Sequence, residues 1–126
     1  LPYAFGEWTD APGKPTVFLY AHHDVQPVTH VDQWKSDPWK LTRRDGRLFA
    51  RGAADDKGAI SAFLGAVAAY RKTAGDLPCN VKMVVEGEEE IGSKNLLKFL
   101  EQYRQKIQSD VIVVCDTENI EVGLPC

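Results

Sequence analysis

Apolar residues along this chain fall into short runs separated by longer polar stretches, and the runs alternate between two periods. Thr16-Val-Phe-Leu-Tyr20, Val81-Lys-Met-Val-Val85 and Val111-Ile-Val-Val-Cys115 are near-continuous and rich in β-branched residues. Runs of that length and composition predict buried strands. Between the first and second, Ile60, Phe63, Leu64, Val67 and Tyr70 recur on one helical face, which Gly75 and Pro78 bring to an end. Between the second and third, Leu96, Leu100, Tyr103 and Ile107 trace another helix, with Ser93 as its cap. Strand, helix, strand, helix, strand predicts an α/β fold, a three-layer sheet with helices on both faces. Leu1 to Pro15, rich in Pro, Gly and Ala, predicts irregular or edge structure. Asp45-Gly46 predicts the turn of a short hairpin that Arg47-Leu-Phe-Ala50 completes.

The polar residues gain meaning once placed on these elements. The first strand runs into His22-His23-Asp24, the second into Glu86-Gly-Glu-Glu-Glu90, and the third into Asp116-Thr117-Glu118. Asp55-Asp56 comes just before the first helix. In open α/β sheets, ligands bind outside the carboxyl ends of the strands. Roughly parallel strands therefore bring these segments to one place. His22, Asp55, Glu90 and Asp116 supply one imidazole and three carboxylates, a mixture that suits Zn²⁺ or Mn²⁺ and lacks the thiolates of a structural zinc site. Crowded carboxylates repel one another, and two divalent ions ~3.5–4 Å apart would relieve that repulsion. Taken singly, each segment has a plainer reading. Asp55-Asp56 suits a helix dipole, Glu88 a solvated loop, His22-His23-Asp24 a polar turn, and Asp116-Thr117 a cap. Their common placement at strand ends favours the metal site.

Composition narrows the choice of partners. The 126 residues carry 15 basic and 18 acidic side chains, a net charge of -3 that argues against a nucleic-acid partner. No apolar run approaches the ~20 residues of a membrane span. Cys79, Cys115 and Cys126 form no disulfide framework. Cys79 and Cys115 are expected as buried, reduced thiols, which implies a cytoplasmic setting. The segment before the first helix lacks the glycine patterns of nucleotide-binding loops, and Asp55 and Asp56 would repel phosphate. Trp34 and Trp39 are expected to pack the long loop onto the domain.

Tyr20-Ala-His-His-Asp-Val-Gln-Pro27, Arg51-Gly-Ala-Ala-Asp-Asp-Lys-Gly58, Glu86-Gly-Glu-Glu-Glu-Ile-Gly-Ser93 and Val114-Cys-Asp-Thr117 together resemble the M20 family of metallopeptidases. The likeness runs from about residue 16 onward. The branch resembles the dipeptidases related to carnosinase, with acetylornithine and succinyl-diaminopimelate deacylases as more distant relatives. The resemblance implies a zinc-peptidase-like catalytic domain that hydrolyses the amide bond of dipeptides or N-acyl amino acids. It implies two Zn²⁺ per complete site, with Mn²⁺ or Co²⁺ as substitutes. His22 and Asp116 would bind one zinc, Glu90 the other, and Asp55 would bridge them; the Asp55–Asp56 peptide bond is typically cis in the family. Two residues would be catalytic: Asp24, holding the His22 ring through its free nitrogen, and Glu89, the general base. His23 gains no role.

Two family features have no counterpart here. The fifth ligand is a His well after Asp116, whereas this chain has only His22, His23 and His30. The family also inserts a smaller lid domain soon after a Gly-Leu-Pro like Gly123-Leu124-Pro125, and that domain carries the dimer contact of a homodimer. Residues 1–126 are accordingly expected to be a partial catalytic domain with no second domain. The reading to weigh against a hydrolase is a non-catalytic fragment that folds and binds at most one metal.

Overall fold

A computed structural model describes residues 2–117 and Glu121. Gly123-Leu124-Pro125 and Cys126 lie outside the described residues. The elements are β1 (Ala4–Trp8), β2 (Thr16–His22), β3 (Thr42–Arg44), β4 (Arg47–Phe49), α1 (Lys57–Ala74), β5 (Asn80–Glu86), α2 (Leu96–Gln102) and β6 (Val111–Val114). Short 3₁₀ turns occupy Val31–Gln33 and Glu89–Ile91.

Four strands form one sheet in the order β1-β5-β2-β6. β2 runs parallel to both β5 and β6, with His22 opposite Glu86 and Tyr20 opposite Val114. The polar segments after all three strands therefore leave from the same end of the sheet. The opening segment supplies β1, an antiparallel edge strand on β5 that starts from Ala4 opposite Val85.

Strand alternation sorts the core into two faces. On one, Leu19, Val81 and Met83 meet Val67 of α1, with Ile60 and Phe63 beside them. On the other, Phe18 and Val84 meet Phe99 of α2, with Tyr3, Phe5 and Tyr20 around them. The helices thus cover both faces. The winding goes from β2 to β5 and then back across β2 to β6, and right-handed crossovers in opposite directions put their helices on opposite faces. The β3–β4 hairpin turns through Asp45 (φ 51°) and Gly46 (φ 74°), two left-handed residues as a tight two-residue turn requires.

Several expectations need correction. Among the described residues β6 is an edge strand bonded only to β2, so it is far from buried: Ile112 is 66% exposed and the Cys115 thiol is exposed. On α1 the sheet reaches Ala59 and Val67, while Leu64 and Tyr70 lie on the flank and stay half exposed. α2 ends at Gln102, short of Ile107. Ser93 does not cap it with its side chain; it has φ 48° and its carbonyl accepts the Leu96 N–H. Asn95 is the N-cap, and its backbone N–H and side-chain amide donate to Glu88, so Glu88 is engaged rather than simply solvated. In the long loop Pro38 is the buried residue, whereas Trp39 is 65% exposed.

The α2 face also holds a buried carboxylate. Glu86 is fully buried and accepts hydrogen bonds from the Tyr20 hydroxyl at 2.6 Å and the Tyr3 hydroxyl at 3.2 Å. A buried acceptor that loses a donor costs about 1–3 kcal/mol. Tyr20→Phe should therefore lower the urea midpoint by a corresponding amount, and an unchanged midpoint would exclude the pair from the stabilising contacts. Burial, then the Glu86 charge and hydrogen bond, push the Tyr3 phenol up to about 12, and burial with the Glu86 bond pushes Tyr20 up as well. Above pH ~10 unfolded chains release phenolic protons that the folded chain keeps. Stability should therefore fall from there toward pH 12, with the Tyr3 phenolate band appearing late in ultraviolet titration.

Candidate metal centre

β2 carries His22 to the carboxyl end of the sheet and buries it completely. The ring is fixed from its Nδ1 side, 3.1 Å from the Asp24 carbonyl oxygen and 3.4 Å from the Asp24 carboxylate. A carbonyl only accepts, so this contact places the ring proton on Nδ1 and leaves the Nε2 lone pair facing the site. The Asp24 carboxylate does more than hold the ring: it accepts the backbone N–H of Glu89 at 3.3 Å and of Glu90 at 3.0 Å. One side chain thereby links the end of β2 to the turn after β5.

Asp55 and Asp56 come from the loop leading into α1. That loop packs tightly on the segment after β2, which explains Gly52: its φ is +77°, and an added Cβ would lie 2.6 Å from Val25. Lys57 ties the same loop down by donating to the His23 carbonyl at 2.8 Å. The Asp55–Asp56 peptide bond is cis. Its two side chains diverge. Asp55 is 56% exposed and reaches to 3.0 Å from His22 Nε2. Asp56 is buried and accepts the His22 backbone N–H at 3.0 Å rather than capping α1. Burial raises the Asp56 carboxyl pKa, the His22 hydrogen bond opposes this, and the Asp116 charge adds to it. In the sequence, the adjacent acidic pair is the one visible sign of this anchoring role.

Three ligand atoms come within 4.8 Å of one another: one each from His22, Asp55 and Asp116. Asp116 comes to 3.7 Å from His22 Nε2, and the Glu89 carboxylate to 3.8 Å from the same nitrogen. Glu90 stands outside this cluster, its carboxylate held by Gln26. His30 sits at the start of the 3₁₀ turn of the long loop, also outside the cluster.

The site fits a divalent cation. Among the described residues, buried His22 Nε2 has no hydrogen-bond partner, although carboxylate oxygens surround it. Burial alone would lower the His22 pKa, but Asp116, the Asp24 carbonyl, Asp56 and Glu89 together raise it. An arrangement that draws a proton to Nε2 draws a cation there for the same reason. One nitrogen with carboxylate oxygens is a donor set that zinc and manganese accept. Burial also raises the Glu89 carboxyl pKa, with His22 opposing and Asp116, Glu90 and Asp24 adding.

Comparison with known proteins follows the same lines. The model of peptidase family M20/M25/M40 matches residues 18–124. A human Beta-Ala-His dipeptidase is 40% identical over 97% of this chain and 24% of that protein. A Cys-Gly metallodipeptidase of Schizosaccharomyces pombe is 38% identical over 97% of this chain and 26% of that protein. The crystal structure of human carnosine dipeptidase 1 superposes with a TM-score of 0.84 at 42% identity, covering 92% of this chain and 25% of that one. The chain spans about a quarter of the length of these relatives.

Proposed function

The chain belongs to peptidase family M20/M25/M40, and from that membership we propose that it supplies the metal-binding and proton-transferring part of a dipeptide hydrolase. The observation that carries this reading is the buried, unpartnered His22 Nε2 among the carboxylates of Asp55, Asp116 and Glu89. The relatives' names support a dipeptide substrate, of the Beta-Ala-His or Cys-Gly kind.

His22, Asp55 and Asp116 would hold the first cation, and Asp55 with Glu90 the second, Zn²⁺ being an ion that suits this donor set. A divalent cation there polarises the scissile carbonyl and makes water a stronger acid. The chain's own residues do the rest. Asp24 keeps the proton of His22 on Nδ1, so that Nε2 stays a ligand. Glu89 accepts the proton of the attacking water on its carboxylate and passes it to the leaving amine. Its backbone N–H is held by Asp24, which fixes the turn that presents it. A cytoplasmic setting is in keeping with the free thiols of Cys79 and Cys115. No helix among the described residues is long and apolar enough to cross a membrane.

The ligand set makes a quantitative expectation. Among the described residues, three ligands converge for one ion, while Asp55 and Glu90 give two carboxylates for the other. Zinc sites in proteins use three or four protein ligands. Calorimetric titration of this chain with Zn²⁺ should show one tight ion, a much weaker second, and no turnover of Beta-Ala-His or Cys-Gly. A chain that binds no Zn²⁺ would refute the metal reading. Two equally tight ions would refute the unequal division of ligands.

A further inference from the structure

We propose that Gln26 is a positioning residue for Glu90, aiming its carboxylate at the second cation. This rests on the ligand role given to Glu90 above. Three hydrogen bonds join the two residues. The Gln26 backbone N–H donates to Glu90 Oε1 at 3.1 Å, and its side-chain amide donates to Glu90 Oε2 at 2.7 Å and to the Glu90 carbonyl at 3.0 Å. Gln26 therefore grips both carboxylate oxygens and the backbone of the same residue. Two positions earlier, Asp24 accepts the Glu90 N–H at 3.0 Å. The segment leaving β2 thus fixes Glu90 at its N–H, its carbonyl and its side chain.

Chemistry explains why an amide suits this position. Glu90 lies on a short 3₁₀ turn and has three side-chain torsions to order. Hydrogen bonds to an ionised carboxylate are the stronger kind, and one donor per oxygen leaves lone pairs on each for a cation. A lysine or arginine would hold the carboxylate equally well but would repel the ion. The neutral amide orients Glu90 without that repulsion.

Loss of such an outer partner typically costs about 10–100-fold in metal affinity. The test fills the tight site of the chain with Zn²⁺ and then titrates Mn²⁺, followed by electron paramagnetic resonance, at concentrations high enough to detect a weak site. Gln26→Ala and Gln26→Met should weaken Mn²⁺ binding by about 10–100-fold. Zn²⁺ affinity and circular dichroism should not move. Gln26→Met keeps the side-chain length and the backbone N–H bond but removes the side-chain amide. If Gln26→Met binds Mn²⁺ as the parent does while Glu90→Ala loses it, Glu90 is a ligand and the role of Gln26 is refuted. If Glu90→Ala keeps the Mn²⁺ site, or the parent chain has none, the ligand role of Glu90 fails and that of Gln26 falls with it. Loss of Zn²⁺ affinity in both Gln26 variants would make Gln26 a residue of the fold and overturn the proposal.

Discussion

Glu89→Gln will lower dipeptide turnover by about 10²–10⁴-fold in the polypeptide that carries this segment, while Zn²⁺ binding stays close to that of the parent. The expectation follows from where the carboxylate stands. Glu89 Oε2 is 3.8 Å from His22 Nε2, near the cluster of His22, Asp55 and Asp116 but not among its ligand atoms. Burial and the neighbouring carboxylates Asp116, Glu90 and Asp24 raise its pKa, which suits a group that must both accept and return a proton. Glutamine keeps the size and loses only the proton-carrying oxygen. The backbone N–H that Asp24 holds is untouched, so the turn keeps its shape. Calorimetry for Zn²⁺ and a dipeptide assay on the same preparation separate the two effects. Zn²⁺ loss in Glu89→Gln with retention in Glu90→Gln would reverse the two assignments.

Some of this architecture was legible in the residue pattern, and the limits have physical causes. The three apolar runs identified β2, β5 and β6 because buried parallel strands need continuous hydrophobicity. The acids and His22 at the strand ends leave the same end of the sheet because parallel pairing sends all three ends to one side. The pattern failed where a local signal competes with tertiary contacts. Ser93 has the chemistry of a cap, but Glu88 reaches Asn95 first. The Val-rich run of β6 reads as buried although it forms an edge, because apolar composition cannot say how many neighbours a strand has. Side-chain direction was equally hidden. Asp55 and Asp56 are the same residue type at adjacent positions, and only the fold sends one to the ligand cluster and the other to the His22 backbone.

That divergence gives the other large effect. Asp55→Ala should abolish tight Zn²⁺ binding, a loss greater than the about 10–100-fold caused by removing an outer partner, because Asp55 is one of the three ligands that converge among the described residues. Its side chain is 56% exposed and meets His22 at the ligand cluster, so the urea midpoint should hardly move. Asp56 should behave in the opposite way. It is buried and its carboxylate satisfies the His22 backbone N–H, so Asp56→Ala orphans a buried donor at about 1–3 kcal/mol. Part of that cost is returned, since burial makes the charged form of Asp56 unfavourable. Asp56→Asn keeps an acceptor for His22 and removes the charge, so it should restore most of the stability and retain Zn²⁺. Calorimetric titration and urea unfolding of the three variants, run side by side, distinguish ligand from anchor. If Asp56→Asn loses Zn²⁺ as fully as Asp55→Ala, the ion is held by both carboxylates and the division of labour between them is wrong.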